Sequence, residues 1–437
     1  MSKIQKPIII IREVFKRLNF NPEKKRIPKR ALLRFIHFID DLDDPRLENN
    51  ISYPLTHILF IAFLAILAGC TGWTEMSVFA DLKKRYIKKF LHGYKTPPSH
   101  DTFRRVFGLI DPVLFSEAIS AFLTENLWTI KEVLNIQNEG YRQIGIDGKE
   151  ARGTGRKSGS EGVIPNLQTL NIYDISNAVS LLSVPINEKT NEIPIAQKYL
   201  AEMQLKNCIV TFDAMNTQKD TIKIIATNGG DYIGGLKGNH ELFHDEIKLY
   251  FDKETLESIR KEKKNYYTHK EKAHNRLEKR TYYLTTDIEW FEDRKKWINL
   301  RSFICCDKST EDLVTGEKTN ERRYYIASLT DVETCADAIR GHWGIESLHW
   351  HLDSNFSEDD NSTMDKNAFN NLSSLNKVAL SLYKLLQPTL KGYSIRTIRQ
   401  AFRLDCEKMF SDLLTILDED LLREAVESSS KMKNFLK

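Results

Sequence analysis

The runs RQIGID (142–147), CIVTFD (208–213) and DYIGGL (231–236) constrain this chain more than any other feature. Each is a short apolar segment of strand length. The stretch between the last two, TQKDTIKIIATNGG, has helical spacing and closes on Gly229 and Gly230. LQTLNIYDI and AVSLLSVPI add two strands around a Ser-Asn turn, and EIPIAQKYLAEMQ reads as an amphipathic helix. Strands alternating with helices predict a mixed sheet flanked by helices, an α/β fold. Two of the runs end in aspartate, Asp147 and Asp213. Neighbouring strands ending this way set hard oxygen donors side by side at one sheet edge, which suits Mg²⁺. Two such ions about 3.5–4 Å apart activate a water and stabilise the leaving oxygen of a phosphodiester. Taken alone, a strand-terminal aspartate is equally a turn former or a helix cap.

The flanking regions read differently. Residues 1–34 carry eleven lysines and arginines against Glu13 and Glu23, while the whole chain has a net charge of only +4. That pattern predicts a basic arm, either a solvated tail or a segment that neutralises DNA phosphates. Residues 35–130 read as helices. The apolar run ILFIAFLAILA (58–68) is well short of the roughly 20 residues of a membrane span and is expected to be a buried helix. Ser99 or Asp101 is expected to cap the helix that carries Phe103, Val106 and Phe107. The aromatic, lysine-rich runs NYYTHK, RTYYLTT and LRSFICCD predict a β-rich insertion at about 245–320. The strand YYIASL then returns to the main fold, VETCADAIRGHWGIESLHWHLDSNF (332–356) reads as helix, and a helical tail covers 389–437. Six cysteines without a C-x-x-C pair suit a reducing cytosol.

A series of motifs then points to one family. In order they are DDPR, YPLTHILFIAFLAILAG, GWTE and SHDTFRRVF; then IGIDGKEARG, EKTNEI, IVTFDAMNTQKD and GGDYIGGLKGN; then HNRLEKR and RGHWGIESLHWHLDSNFSEDDN. In order and spacing the chain resembles the DDE transposases of the H-repeat-associated group of bacterial insertion sequences, over residues 35 to 388. The resemblance implies a helical transposase-associated domain (35–130). It further implies a ribonuclease-H-like catalytic domain (141–388), interrupted by the β-rich insertion. It places the catalytic, metal-binding carboxylates on Asp147, Asp213 and Glu346, separated by 66 and 133 residues. Two Mg²⁺ or Mn²⁺ ions per site, double-stranded DNA as substrate, a homodimer on paired element ends and the bacterial cytoplasm at the nucleoid follow as expectations. No membrane is expected.

The surroundings of these three carboxylates supply further candidates. Lys149, Arg152, Arg156 and Lys157 follow the first aspartate in a Gly- and Ser-rich loop suited to the DNA backbone. Lys237, Arg340 and His342 are expected to grip phosphate. Wider relatives carry a tyrosine, an arginine and a lysine around the glutamate, where this chain has Ile339, His342 and Asp353. Asp353 and Glu358 lie close enough to Glu346 in sequence to be secondary candidates, although an EDD run such as 358–360 is usually a solvated turn. Asn216 is read first as a helix cap. One motif points elsewhere: His240-Glu241-Leu242-Phe243-His244 matches H-E-x-x-H, which on a helix would bind zinc as in a metalloprotease. A non-catalytic DNA-binding relative and a nuclease that cuts without joining are the remaining alternatives.

Overall fold

The computed structural model describes residue 4 and residues 6–18, 29–40, 42–136, 140–158, 162–186, 191–273, 275–390 and 392–428. They form two compact units that are not contiguous in sequence. A sheet unit takes residues 1–5, 139–147 and 188–345, and a helical unit takes 6–138, 148–187 and 346–437. Two of the passages from one to the other fall inside regular elements, strand β1 (Arg142–Ala151) and helix α12 (Val332–Phe356).

The helical unit opens with α1 (Pro7–Leu18), α2 (Lys29–Asp40), α3 (Leu55–Leu67), α4 (Trp73–Leu82), α5 (Lys84–Ile87), α6 (His100–Leu109) and α7 (Pro112–Val133). Local chemistry sets several boundaries. Ser99, rather than Asp101, caps α6 by accepting from Thr102 N, and Asp111 accepts from Val113 N and Leu114 N with Pro112 at the first helical position. Helix α3 ends at Gly69, whose φ of +91° lets Cys70 N reach Ala65 O. Ile58 to Leu67 of α3 are at most 2% exposed, so the apolar run is an interior helix. No single helix among the described residues is long and apolar enough to cross a membrane.

Two β-hairpins follow, β2 (Arg156–Ser158) with β3 (Gly162–Ile164) and β4 (Leu167–Asp174) with β5 (Val179–Ile186). The unit closes with α13 (Lys366–Leu386), α14 (Ile395–Leu404), α15 (Cys406–Leu417) and α16 (Glu419–Ser428). Helix α13 is buried along nearly its whole length and pins its neighbours through polar side chains. Asn371 Nδ2 donates to Phe107 O and Ile110 O, and the Tyr383 hydroxyl donates to Leu67 O at 2.7 Å.

The expected basic arm is only partly an arm. Residues 7–18 form α1, with Ile11, Val14 and Phe15 wholly buried, and Arg12 donates to Gln387 Oε1. Arg34 in α2 donates to Asn126 and Thr129 of α7. Residues 19–28, with Lys24, Lys25 and Arg26, lie outside the described residues.

The sheet unit contains the first part of β1, then α8 (Glu192–Glu202), β6 (Cys208–Phe212), α9 (Lys219–Thr227) and β7 (Asp231–Leu236). Next come α10 (Glu241–Tyr250), α11 (Lys253–Glu262), β8 (Tyr266–Ala273), β9 (Arg276–Thr285), β10 (Ser302–Asp312) and β11 (Lys318–Ala327). Its strands lie in the order β1-β6-β7-β11-β10-β9-β8. The first three are parallel and the others antiparallel, the mixed sheet that the sequence pattern predicts. The segment expected as a separate β insertion differs in two ways. It begins with helices α10 and α11, and its strands β8, β9 and β10 extend the same sheet, because β10 pairs with β11, the returning strand that pairs with β7. Ile209, Ile233, Leu284 and Ile304 of the strands pack with Cys335, Ala338 and Ile339 of α12 into one core.

Candidate active site

Strands β1 and β6 run parallel, and their last registered pair is Ile146 with Phe212. Asp147 is the next residue of β1 and Asp213 the first residue after β6, and neighbouring strands lie about 4.8 Å apart. The sheet unit therefore sets the first two expected carboxylates side by side where β6 ends, although Asp147 does not end its own strand as the sequence pattern suggests, because β1 runs on to Ala151.

The turn after Asp213 is tightly braced. Gly234 on β7 leaves no room for a side chain: a Cβ there would lie 2.7 Å from both the Phe212 ring and Thr217 Oγ1. That space admits the Thr217 hydroxyl, 2.7 Å from Gly235 O and 2.9 Å from Asp213 O. From the far side of β7, Asn239 Nδ2 donates to Ala214 O and His240 Nε2 donates to Thr217 O, both at 2.6 Å. The LKGNH segment is thus a brace for the Asp213 turn.

Asn216 is not a helix cap. It is 1% exposed, and its backbone N and Nδ2 both donate to Asp213 Oδ1, at 3.1 and 3.3 Å. These two bonds orient the carboxylate while drawing on one of its oxygens. Asn216 Nδ2 also reaches Glu192 Oε2 at 3.4 Å. Burial raises the pKa of Glu192, the Asn216 bond opposes that rise, and the Asp213 charge adds to it. Asn216 Oδ1 is buried without a hydrogen-bond partner among the described residues. Hard carboxylate oxygens and an orphaned amide oxygen beside them fit a divalent cation or its water shell. Glu192 and Thr217 lie inside the EKTNEI and IVTFDAMNTQKD motifs, but nothing in those motifs singles them out, and the fold alone brings them to Asp213.

Helix α12 approaches β1 closely in the sheet unit. A Cβ on Gly341 would lie 2.2 Å from Gln143 Oε1, and Gln143 Nε2 donates to Ala338 O at 2.6 Å. His342 Nδ1 lies 3.0 Å from Thr211 Oγ1. The Thr211 hydroxyl donates its one proton to Ile144 O, so His342 Nδ1 is assigned as the protonated nitrogen of the pair. Desolvation lowers the His342 pKa to about 4, against a smaller upward pull from Asp213. The ring is therefore neutral near pH 7 and supplies no positive charge to a phosphate, contrary to the expected role. Glu346 is exposed and lies one helical turn beyond His342 on the same face of α12.

The helical unit collects the other acids. Lys149, only 9% exposed over its side chain, lies 2.5 Å from Asp353 Oδ1, 3.6 Å from Asp359 Oδ1 and 4.0 Å from Glu358 Oε2. Glu358 is 2% exposed, so the EDD run is not a solvated turn. Its Oε1 accepts from Asn376 Nδ2, and its charge also faces the fully buried Lys377, whose pKa burial lowers to about 8. Burial likewise raises the pKa of Asp353, with Lys149 opposing.

The remaining candidates are dispersed. Arg152 is mostly exposed and lies 3.9 Å from Asp359, and exposed Arg156 reaches Ser362 O. The Lys157 side chain lies outside the described residues. Lys237 is exposed immediately after β7. Arg340 is engaged with Glu271 at 2.9 Å and lies over the Trp343 ring. The zinc motif does not assemble, because His240 precedes the first turn of α10 in a non-helical conformation and is spent on Thr217 O. His244, in the first turn of α10, lies against Tyr324 and Asp245. His349 and His351 bond to Asn171 and Asn355. Among the described residues no three His, Cys, Asp or Glu side chains are grouped closely enough to hold a metal ion.

Comparison with known proteins bears on the same residues. The family model "Transposase DDE domain" matches residues 138–382, more than half of the chain, and the model "DDE_Tnp_1-associated" matches residues 36–123. The chain belongs to the DDE transposase family. Within it, the chain is similar to the H repeat-associated protein YhhI of Escherichia coli (strain K12), at 28% identity over 80% of this chain and 90% of that one. A protein from the dhlA 3′ region of Xanthobacter autotrophicus is 28% identical over 67% of this chain and 94% of its own length. A piggyBac transposase, solved as a synaptic complex with hairpin DNA, matches at 12% identity and a TM-score of 0.37, covering 94% of this chain and 84% of that one. That likeness is too low to bear on the assignment. The chain is thus a transposase of the H-repeat-associated group, an enzyme of a family that uses divalent metal ions.

Proposed function

We propose that this transposase cuts and joins double-stranded DNA at the ends of its insertion sequence, with Asp147, Asp213 and Glu346 as the carboxylates for two Mg²⁺ or Mn²⁺ ions in a ribonuclease-H-like core. The observation that carries the reading is the pairing of β1 with β6, in parallel and in register up to the residue before each aspartate. Glu346 is supported by its place on α12, one turn past a histidine that is itself hydrogen-bonded to β6. When bound, the ions supply an activated oxygen nucleophile and charge stabilisation for the leaving oxygen.

The chain's own contribution is orientation. Asn216 aims the Asp213 carboxylate, the Thr217–Gly235 contact holds its turn, and neutral His342 adds no competing positive charge. Water attacks phosphorus as the bond to a DNA 3′-oxygen breaks. The freed 3′-hydroxyl then attacks phosphorus in a second phosphodiester, whose own 3′-oxygen leaves as the new bond forms and takes up the proton, so neither step needs a covalent enzyme intermediate. Arg152, Arg156 and Lys237, exposed cations on the two units, are the candidates for backbone contacts. A homodimer on paired ends, working at the bacterial nucleoid, completes the reading.

The test is cleavage of DNA carrying the element ends by purified protein. Nicking is expected with Mg²⁺ or Mn²⁺ and none with chelator, with joined products appearing when target DNA is added. Cleavage without joining would assign a nuclease, and end binding with no cleavage under any metal would overturn the catalytic reading.

A further inference from the structure

Lys149 stands two residues after Asp147 on β1, and Asp353 stands seven residues after Glu346 on α12. Residues i and i+2 of a strand share a face, and residues i and i+7 of a helix, two turns apart, share a stripe. The Lys149–Asp353 ion pair at 2.5 Å is therefore made from the same strand face and the same helix stripe that carry Asp147 and Glu346, displaced along both. Within the helical unit it ties the segment that begins at Gly148 to the segment of α12 that begins at Glu346.

The tie is reinforced around it. Arg152 N donates to Asp359 Oδ1, and Gly153 packs so closely on this turn that a Cβ would lie 2.2 Å from Asp359 O. Ser357 takes a left-handed conformation, φ +55°, where the turn leaves α12. Behind the turn, Glu358 is buried between the Lys149 and Lys377 charges, and Lys377 donates to Ser183 Oγ on β5. A lysine this enclosed, facing three carboxylates, is poorly placed to meet a DNA phosphate.

We propose that Lys149 is a positioning residue for the metal-binding carboxylate Glu346, holding the strand segment from Gly148 onward and the Glu346 portion of α12 together within the helical unit. This rests on the reading of Asp147 and Glu346 as metal ligands. Lys149 touches neither metal nor DNA; its ammonium pairs with Asp353 and faces Glu358 and Asp359, sharing their charge with Lys377 and Arg152, and leaves the ions to the three catalytic carboxylates.

The experiment uses the full-length protein and three readouts: Mn²⁺ affinity by calorimetry without DNA, the Mn²⁺ concentration giving half-maximal cleavage, and the salt dependence of end binding. Outer-sphere substitutions typically cost 10–100-fold in metal affinity or activity. Lys149→Met is expected to weaken Mn²⁺ affinity and raise the half-maximal Mn²⁺ concentration by about tenfold, with the salt slope unchanged. Lys149→Arg, which keeps the charge, is expected to recover most of both. Should Lys149→Met misfold, Asp353→Asn breaks the same pair at a residue about one-third exposed and is expected to shift both metal readouts in the same direction. Unchanged metal readouts with a salt slope reduced by about one would make Lys149 a phosphate contact and overturn the proposal. Tighter Mn²⁺ binding on loss of the lysine charge would overturn it as well. Asp147→Asn is the control: if it leaves Mn²⁺ affinity unchanged, the ligand assignment itself fails, separately from the role of Lys149.

Discussion

Asp213 and Glu358 each sit where a secondary-structure element gives way to a turn, and each has another carboxylate nearby, yet they are held by different chemistry. Asp213 is oriented by neutral donors, the backbone and side-chain amide groups of Asn216, and sits in a turn braced by Thr217, Asn239 and His240. Glu358 is enclosed with Asp353 and Asp359 around Lys149, with Lys377 behind. Neutral donors leave a carboxylate its full charge for a cation from solution. A buried lysine supplies that cation permanently. Clusters of acids near a catalytic motif are therefore distinguished by what stands opposite them, and of these two it is the Asp213 carboxylate that is held by neutral donors.

The sharpest way to break this contrast is to remove charge on each side. Asp147→Asn, Asp213→Asn and Glu346→Gln are expected to lower cleavage by about 10³-fold or more while end binding persists, because transition-state charge stabilisation is lost. Glu358→Gln is expected to keep at least partial cleavage at a temperature where it is folded. Normal cutting by Glu346→Gln together with a dead Glu358→Gln would reverse the assignment of the two regions.

The same Glu358→Gln variant should show its main effect in stability. Removing one member of a buried charge network leaves the others uncompensated, at a typical cost of about 3–5 kcal/mol. Gln retains the Asn376 bond, so a loss near the lower end, about 3 kcal/mol, is expected in denaturant titrations. A loss under about 0.5 kcal/mol, the range of ordinary surface substitutions, would mean that Lys149 and Lys377 do not depend on Glu358.

A smaller effect lies in pH. His342 has a folded pKa of about 4 against an ordinary value of 6.5, so between those values the unfolded chain binds more protons. Stability is therefore full above pH 6.5 and falls as pH drops toward 4, by up to about 3 kcal/mol for a shift of this size. His351, also lowered to about 4 by burial, acts in the same window. Denaturant midpoints across this range should flatten by roughly half in His342→Gln; an unchanged profile would place the ring in water.

The smallest effect concerns the exposed cations. Arg152→Ala should weaken end binding modestly and reduce the slope of log affinity against log salt by about one. Lys149→Met should leave that slope alone, which extends the contrast between charges turned to DNA and charges turned inward.

The helix-strand alternation, the end of β6 before Asp213 and the α3 core helix were legible because they depend on short-range periodicity, whereas the run of β1 past Asp147 to Ala151 was not. So was the family, because its motifs are contiguous. The roles of single polar residues were not. Asn216 read as a cap and the EDD run as a solvated turn, yet the first is buried against Asp213 and the second encloses Glu358. Lys149 read as a phosphate contact, and its three acidic partners lie more than 200 positions away. The H-E-x-x-H match was a sequence coincidence that the helix start at Glu241 removes.

By itself the sequence determined the alternating elements, the aspartates on and after two neighbouring strands, the candidate glutamate on a helix and the family to which they belong. All of these rest on residue type and on spacing within a few turns or one strand. Tertiary structure decided which charges are already answered and which remain open. It drew the β-rich segment into the same sheet as β6 and β7, spent His240 on a backbone carbonyl, and set Lys149 among Asp353, Glu358 and Asp359. The physical reason is that the state of a carboxylate or an ammonium depends on the charges and donors within a few ångströms. The chain brings those together from segments whose separation in sequence carries no local signal.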